Sequence, residues 1–176
     1  LPDTHELCVS AARSLSLSNA DVVVLLGARL NWLLSNGEKP FRSDAQFVQI
    51  DIDANEIDSN RLIQAPVVGD LVSSLKKLTA AAQQFGVKAP QGWLDQLAEK
   101  KNANIEKMSG AITAAQDNYP MGFYGVLGPI KELIAQNPDT YLVSEGANTL
   151  DIGRNVIDIL KPRHRLDTGT WGVMGV

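Results

Sequence analysis

Cysteine is nearly missing from this chain of 176 residues, with Cys8 as its single thiol. One cysteine excludes an internal disulfide framework and any metal site built on several thiolates, and it fits a reducing compartment. Histidine is almost as scarce: His5 and His164 have no second imidazole or thiol at ligand spacing, so a zinc site is not expected. Positive charge is in deficit, with a net charge of −4, and nothing in that balance favours a nucleic-acid partner. The longest apolar run falls far short of the roughly 18 residues of a membrane span, and no basic and apolar leader pattern opens the sequence. No G-x-G-x-x-G follows the first apolar run, which argues against a dehydrogenase. No G-x-S-x-G occurs either, and Cys8 has no evident base, so nucleophile motifs are lacking.

What is there is organised around residues 20–32, A-D-V-V-V-L-L-G-A-R-L-N-W. The run Val22 to Leu26 between Asp21 and Gly27 reads as a strand buried on both faces, as in parallel sheets. Gly27 then turns the chain into an expected short helix over residues 28–35. A helix is expected before it, over residues 6–16. Strands follow at 46–52 and 65–68, and Asp70 is placed to cap a helix over 71–84. This is an α/β chain with a Rossmann-like parallel half-sheet. After Phe85 the composition turns polar, and a long surface or bridging helix is expected over 93–112. A second α/β unit begins near residue 121, with a helix over 123–136, a strand over 141–144 and a helix over 150–160. The domain expectation is therefore 1–85 for a partial nucleotide-binding domain, 86–120 for a linker, and 121–176 for the start of another domain. The first residue is not Met and the glycine-spaced end looks unfinished, so a piece of a longer protein is expected.

Arg29 on the first turn and Asp51 at the end of the second strand are 22 residues apart. An arginine there can pair with phosphate and an acid there can accept hydrogen bonds from ribose hydroxyls. Helix capping, or pairing of the two with each other, is the blander reading, and the pattern leaves both open. Small residues beside Arg13 at 10–14 permit close approach of a ligand, although a solvated arginine is the commoner case. Glu145-Gly146-Ala147-Asn148 follows a strand, at an edge where cofactors dock, but a plain turn would look the same. Arg154, Asn155 and Arg163-His164-Arg165 form a polar cluster that is either an anion site or a solvated face.

Taken together, A-D-V-V-V-L-L-G-A-R-L-N-W, Q-I-D-I-D, P-V-V-G-D, S-E-G-A-N-T-L-D and P-R-H-R-L-D-T-G-T-W-G-V-M-G resemble the thiamine-diphosphate-dependent oxalyl-CoA decarboxylases and the related 2-hydroxyacyl-CoA lyases. The resemblance covers essentially the whole chain. It implies most of that family's central domain, a connecting helix and the start of its pyrophosphate-binding domain. It assigns the activator ADP to Arg29, Asp51 and Leu71. It assigns the coenzyme A substrate to Ala11, Ala12, Arg13, Ser14, Asn104, Arg154 and Asn155. Thiamine diphosphate would meet Tyr124, Gly125, Ala147, Gly172, Val173 and Met174, with Met174 as the apolar wedge that keeps the cofactor folded. The Gly125 position departs from an asparagine found in some members.

The implied reaction converts oxalyl-CoA to formyl-CoA and carbon dioxide, the thiazolium ring taking up the released electrons. The activating glutamate and the motif for Mg2+ are expected outside these residues, so no catalytic residue or metal ligand is assigned and the isolated chain is expected to be inactive. A homo-oligomer, dimer or tetramer, is implied, in the cytoplasm or in the peroxisome of a eukaryote. Residues 58–60, 66–70 and 171–173 lean towards the decarboxylase, whereas 151–154 and 162–165 also fit the lyase. A non-catalytic nucleotide-sensing module is the reading from a different class.

Overall fold

The computed structural model describes residues 1–167 and divides the chain into two compact units. One is Arg13–Asp95; the other joins Leu1–Ala12 to the chain from Gln96 onward.

In the unit Arg13–Asp95, α1 (Arg13–Asn19) leads to β1 (Val22–Leu26), β2 (Gln46–Asp51) and β3 (Ala65–Val68), a parallel sheet with β2 in the middle. Val24 pairs with Val48, and Val48 with Ala65, so side chains in one row share a face. One face builds the core: Leu25 and Phe47 pack with Leu30, Phe41, Ala45 and Ile63. Phe47 is fully buried, meets Phe41 edge-on at 5.3 Å and carries the Arg61 guanidinium 4.5 Å from its ring centre. Arg61 also donates to the carbonyls of Gly37, Ser43 and Ala45, which ties the loop before β2 to the core.

The other face corrects the expectation for β1. Val22, Val24 and Leu26 are 56%, 43% and 42% exposed, because β1 is an edge strand and the described residues leave that face uncovered. The helix expected over 28–35 is also replaced, by a short 3-10 turn at Trp32–Gly37. Asn31 accepts the Leu33 amide at its start, and Ser35 and Asn36 both take φ 51, a left-handed geometry that asparagine tolerates and a continuing helix does not. The helix α2 (Leu71–Gln84) matches its expected span, with Asp70 capping the Ser73 amide.

The helix expected over 6–16 is displaced to α1 and a 3-10 turn at Ser10–Ala12. Residues before it turn instead, the His5 ring accepting the Leu7 amide at 3.0 Å. The long polar helix is present as α3 (Gln91–Ala115). The division between the two units falls inside it.

The second unit continues with α4 (Phe123–Gln136), β4 (Leu142–Ser144), α5 (Ala147–Val156) and β5 (Arg165–Asp167). Its core is Leu127, Ile134, Val156 and Ile157, flanked by Met108, Ile112 and Ile130. The fifth helix both starts and stops earlier than the expected 150–160. Its continuation is pulled straight, since Asp3 holds both the amide and the carbonyl of Ile159 and Arg165 donates to the Ile157 carbonyl. The strand β5 pairs parallel to β4, a partnership that three residues give no periodicity to reveal.

Candidate functional site

The carboxyl edge of the three-stranded sheet gathers the nucleotide candidates. The Gly27 amide donates to Ile50 at 2.9 Å and the Gly69 amide to Asp51 at 2.8 Å, so all three strands end side by side. Gly27 has φ +57, and a Cβ there would come within 3.0 Å of Leu71 Cδ1. Leu71, the first residue of α2, thus closes over the first turn. The Asp70 carboxyl is held below the usual carboxylate range by the hydrogen bonds of the Ser73 amide and hydroxyl. Asp51 is 9% exposed, and its Oδ1 accepts the Asp53 amide at 3.0 Å. Arg29 does not pair with Asp51: its two-thirds exposed side chain reaches Glu56 at a long 3.4 Å. A guanidinium so loosely held is able to take a phosphate, and a carboxylate at a strand end is able to take hydroxyls. Sequence reading missed Glu56, whose link to Arg29 spans 27 positions and leaves no local signal.

The residues assigned to coenzyme A fall in both compact units. Asn104 on α3 donates to the Ala11 carbonyl at 2.6 Å, and Ala12 beside it is buried. Arg13 donates to the Leu33 carbonyl and Ser14 is exposed. The Arg154 guanidinium sits 2.8 Å from both carboxylate oxygens of Asp167, lining an open cleft with Arg165 and Leu166. Asn155 turns back to the Asp151 carbonyl of its own helix.

Of the cofactor candidates, Tyr124 lies in the first turn of α4, 36% exposed. Gly125 is buried against α3, its α-carbon facing the Ala115 carbonyl. Ala147 opens α5 behind Gly146, which takes φ +76. Gly172, Val173 and Met174 lie outside the described residues. Among the described residues no helix is long and apolar enough to cross a membrane.

Residues 1–78 match the model of the family described as "Thiamine pyrophosphate enzyme, central domain". That stretch is similar to the family over a little under half of the chain. Oxalyl-CoA decarboxylase of Escherichia coli (strain K12) is 50% identical over 176 residues, which is the whole of this chain and 31% of that relative. 2-Hydroxyacyl-CoA lyase 1 of Mus musculus is 42% identical and 2-hydroxyacyl-CoA lyase of Arabidopsis thaliana 40% identical, again over the whole chain and 30% and 31% of those relatives. The chain therefore spans a little under a third of the length of the curated relatives it matches. The matched stretch contains the entire sheet edge with Arg29, Asp51 and Leu71. Tyr124, Gly125 and Ala147 fall beyond the matched residues, where the full-chain identity to the relatives extends.

Proposed function

We propose that this chain is part of an oxalyl-CoA decarboxylase, a carbon-carbon lyase that uses thiamine diphosphate to convert oxalyl-CoA to formyl-CoA and carbon dioxide. The observation that carries this reading is the 50% identity to the Escherichia coli decarboxylase along all 176 residues, against 42% for the mouse lyase. The second reading, 2-hydroxyacyl-CoA lyase, draws on that same 42%.

The residues present fit the cofactor. The helices α4 and α5 both open on a glycine, Gly122 and Gly146, with no side-chain hydrogen bond at the cap. The cap residues thus supply no side-chain acceptor to the first amides, a donor set suited to an anionic diphosphate. Tyr124 and Ala147 stand at those two ends and would hold it, together with Gly172, Val173 and Met174, and Mg2+ would be liganded from outside this chain. When bound, the thiazolium ring supplies the electron sink for loss of carbon dioxide.

In the same reading Asn104, Ala11 to Ser14, Arg154 and Asn155 hold the coenzyme A moiety, and Arg154 would exchange its Asp167 contact for a phosphate. Arg29 pairs with the phosphates of ADP and Asp51 accepts from its ribose, with Leu71 packed beside them, which makes the first sheet edge an activator site. The active enzyme is a homo-oligomer of the cytoplasm, or of the peroxisome in a eukaryote. Product analysis on the complete gene product containing this sequence tests the reaction. Carbon dioxide and formyl-CoA from oxalyl-CoA support it; an aldehyde from a long 2-hydroxyacyl-CoA, with oxalyl-CoA untouched, replaces it with the lyase.

A further inference from the structure

The helix α4 carries two glycines three residues apart, Gly125 and Gly128, both buried. Glycine is the poorest helix former after proline, so two within one turn call for a compensating close approach. The approach is to α3. A Cβ at Gly125 would lie 2.8 Å from the Ala115 carbonyl oxygen and 3.0 Å from Met121 Cγ; one at Gly128 would lie 2.5 Å from Ile112 Cγ2. Carbon atoms in ordinary contact stay about 3.5 to 4.0 Å apart, so a methyl at 128 demands a displacement on the order of 1 Å. Ile112 is β-branched and stiff at χ1, and it packs against the core of Leu127, Ile134 and Val156. The helix rather than the side chain must then yield.

We infer that Gly125 and Gly128 are positioning residues that set the depth of α4 on α3 and so place Tyr124 for thiamine diphosphate, an inference that rests on the cofactor reading above. Tyr124 precedes Gly125 and lies one helical turn above Gly128, so it travels with the helix as a rigid body. A misplacement of about 1 Å around a reacting group costs roughly a hundredfold in rate. The lack of a side chain at 125 therefore serves the cofactor through packing, since the space a Cβ would fill is taken by the Ala115 carbonyl.

The two neighbours give the test its selectivity. Ile112→Ala clears space for a methyl at 128 but does nothing for the backbone oxygen facing 125. In the complete gene product, the thiamine diphosphate Kd is measured by calorimetry with magnesium present, beside the thermal midpoint and kcat at saturating cofactor. Gly128→Ala is expected to raise Kd at least tenfold, and Ile112→Ala/Gly128→Ala to return it to within about threefold of the wild type. Ile112→Ala/Gly125→Ala stays impaired tenfold or more. These double variants decide the matter even where a single variant does not fold. Equal affinities for both double variants, or glycine variants that lower only the thermal midpoint, overturn the positioning role. Absence of cofactor binding by the wild type removes the underlying reading, and this inference with it.

Discussion

Asp51 ends β2, and its Oδ1 anchors the Asp53 amide; the proposed ribose contact would use the other oxygen. Asp51→Asn keeps an acceptor for Asp53 and removes the charge. Calorimetry with ADP should then show a loss of about 1.5 to 3 kcal/mol, roughly ten- to hundredfold in Kd, the scale of a hydrogen bond to a charged group; an unchanged Kd rejects Asp51 as the ribose acceptor. Gly27 is constrained differently. A left-handed φ costs a residue with a Cβ about 1 to 2 kcal/mol, and the Leu71 methyl leaves little room. Gly27→Ala should lower the urea midpoint accordingly, and an unaltered midpoint would show that the turn relaxes freely. Both positions were readable in advance because strand ends are marked by a glycine or an acid after an apolar run. The Glu56 partner of Arg29 was not, since nothing local links residues so far apart.

At the scale of elements, the loop between β1 and β2 is held in part by the Arg61 side chain. Arg61 satisfies three carbonyls and covers Phe47. Arg61→Ala should cost about 2 to 3 kcal/mol in denaturant unfolding, because the partly buried acceptors lose their donor and the ring its cation. A cost within experimental error would mean that water replaces the guanidinium. The cap of α2 predicts a pH dependence. Asp70 has a lowered carboxyl, through the Ser73 amide and hydroxyl, so its contribution is present above the unfolded value of about 3.9 and fades as pH falls through the folded one. The thermal midpoints of wild type and Asp70→Ala should differ at pH 7 and converge in acid; a constant gap contradicts the charged cap. The helix α2 was legible to the residue because its Asp70 cap and its apolar spacing agree over 14 positions, and α4 because apolar spacing runs on from the Gly122 break. The first turn was not, because Leu30, Leu33 and Leu34 imitate helical spacing while Ser35 and Asn36 adopt left-handed backbone. Exposure along β1 was hidden for a related reason, since an apolar run reports what a strand can bury and not what covers it.

Across the whole molecule, the two compact units divide the proposed work: the first carries the nucleotide edge, the second the helix ends for the cofactor and much of the coenzyme A contact. The substrate set was the least legible in structural terms. Arg154 and Asn155 stand next to each other in sequence, yet one reaches Asp167 and the other folds back on its own helix. The most direct measurement supplies oxalyl-CoA and a long-chain 2-hydroxyacyl-CoA together to the complete gene product, loaded with thiamine diphosphate and magnesium, and compares the two kcat/KM values from carbon dioxide and aldehyde released. A decarboxylase yields carbon dioxide with oxalyl-CoA consumed in preference; aldehyde as the dominant product, with oxalyl-CoA left intact, contradicts it.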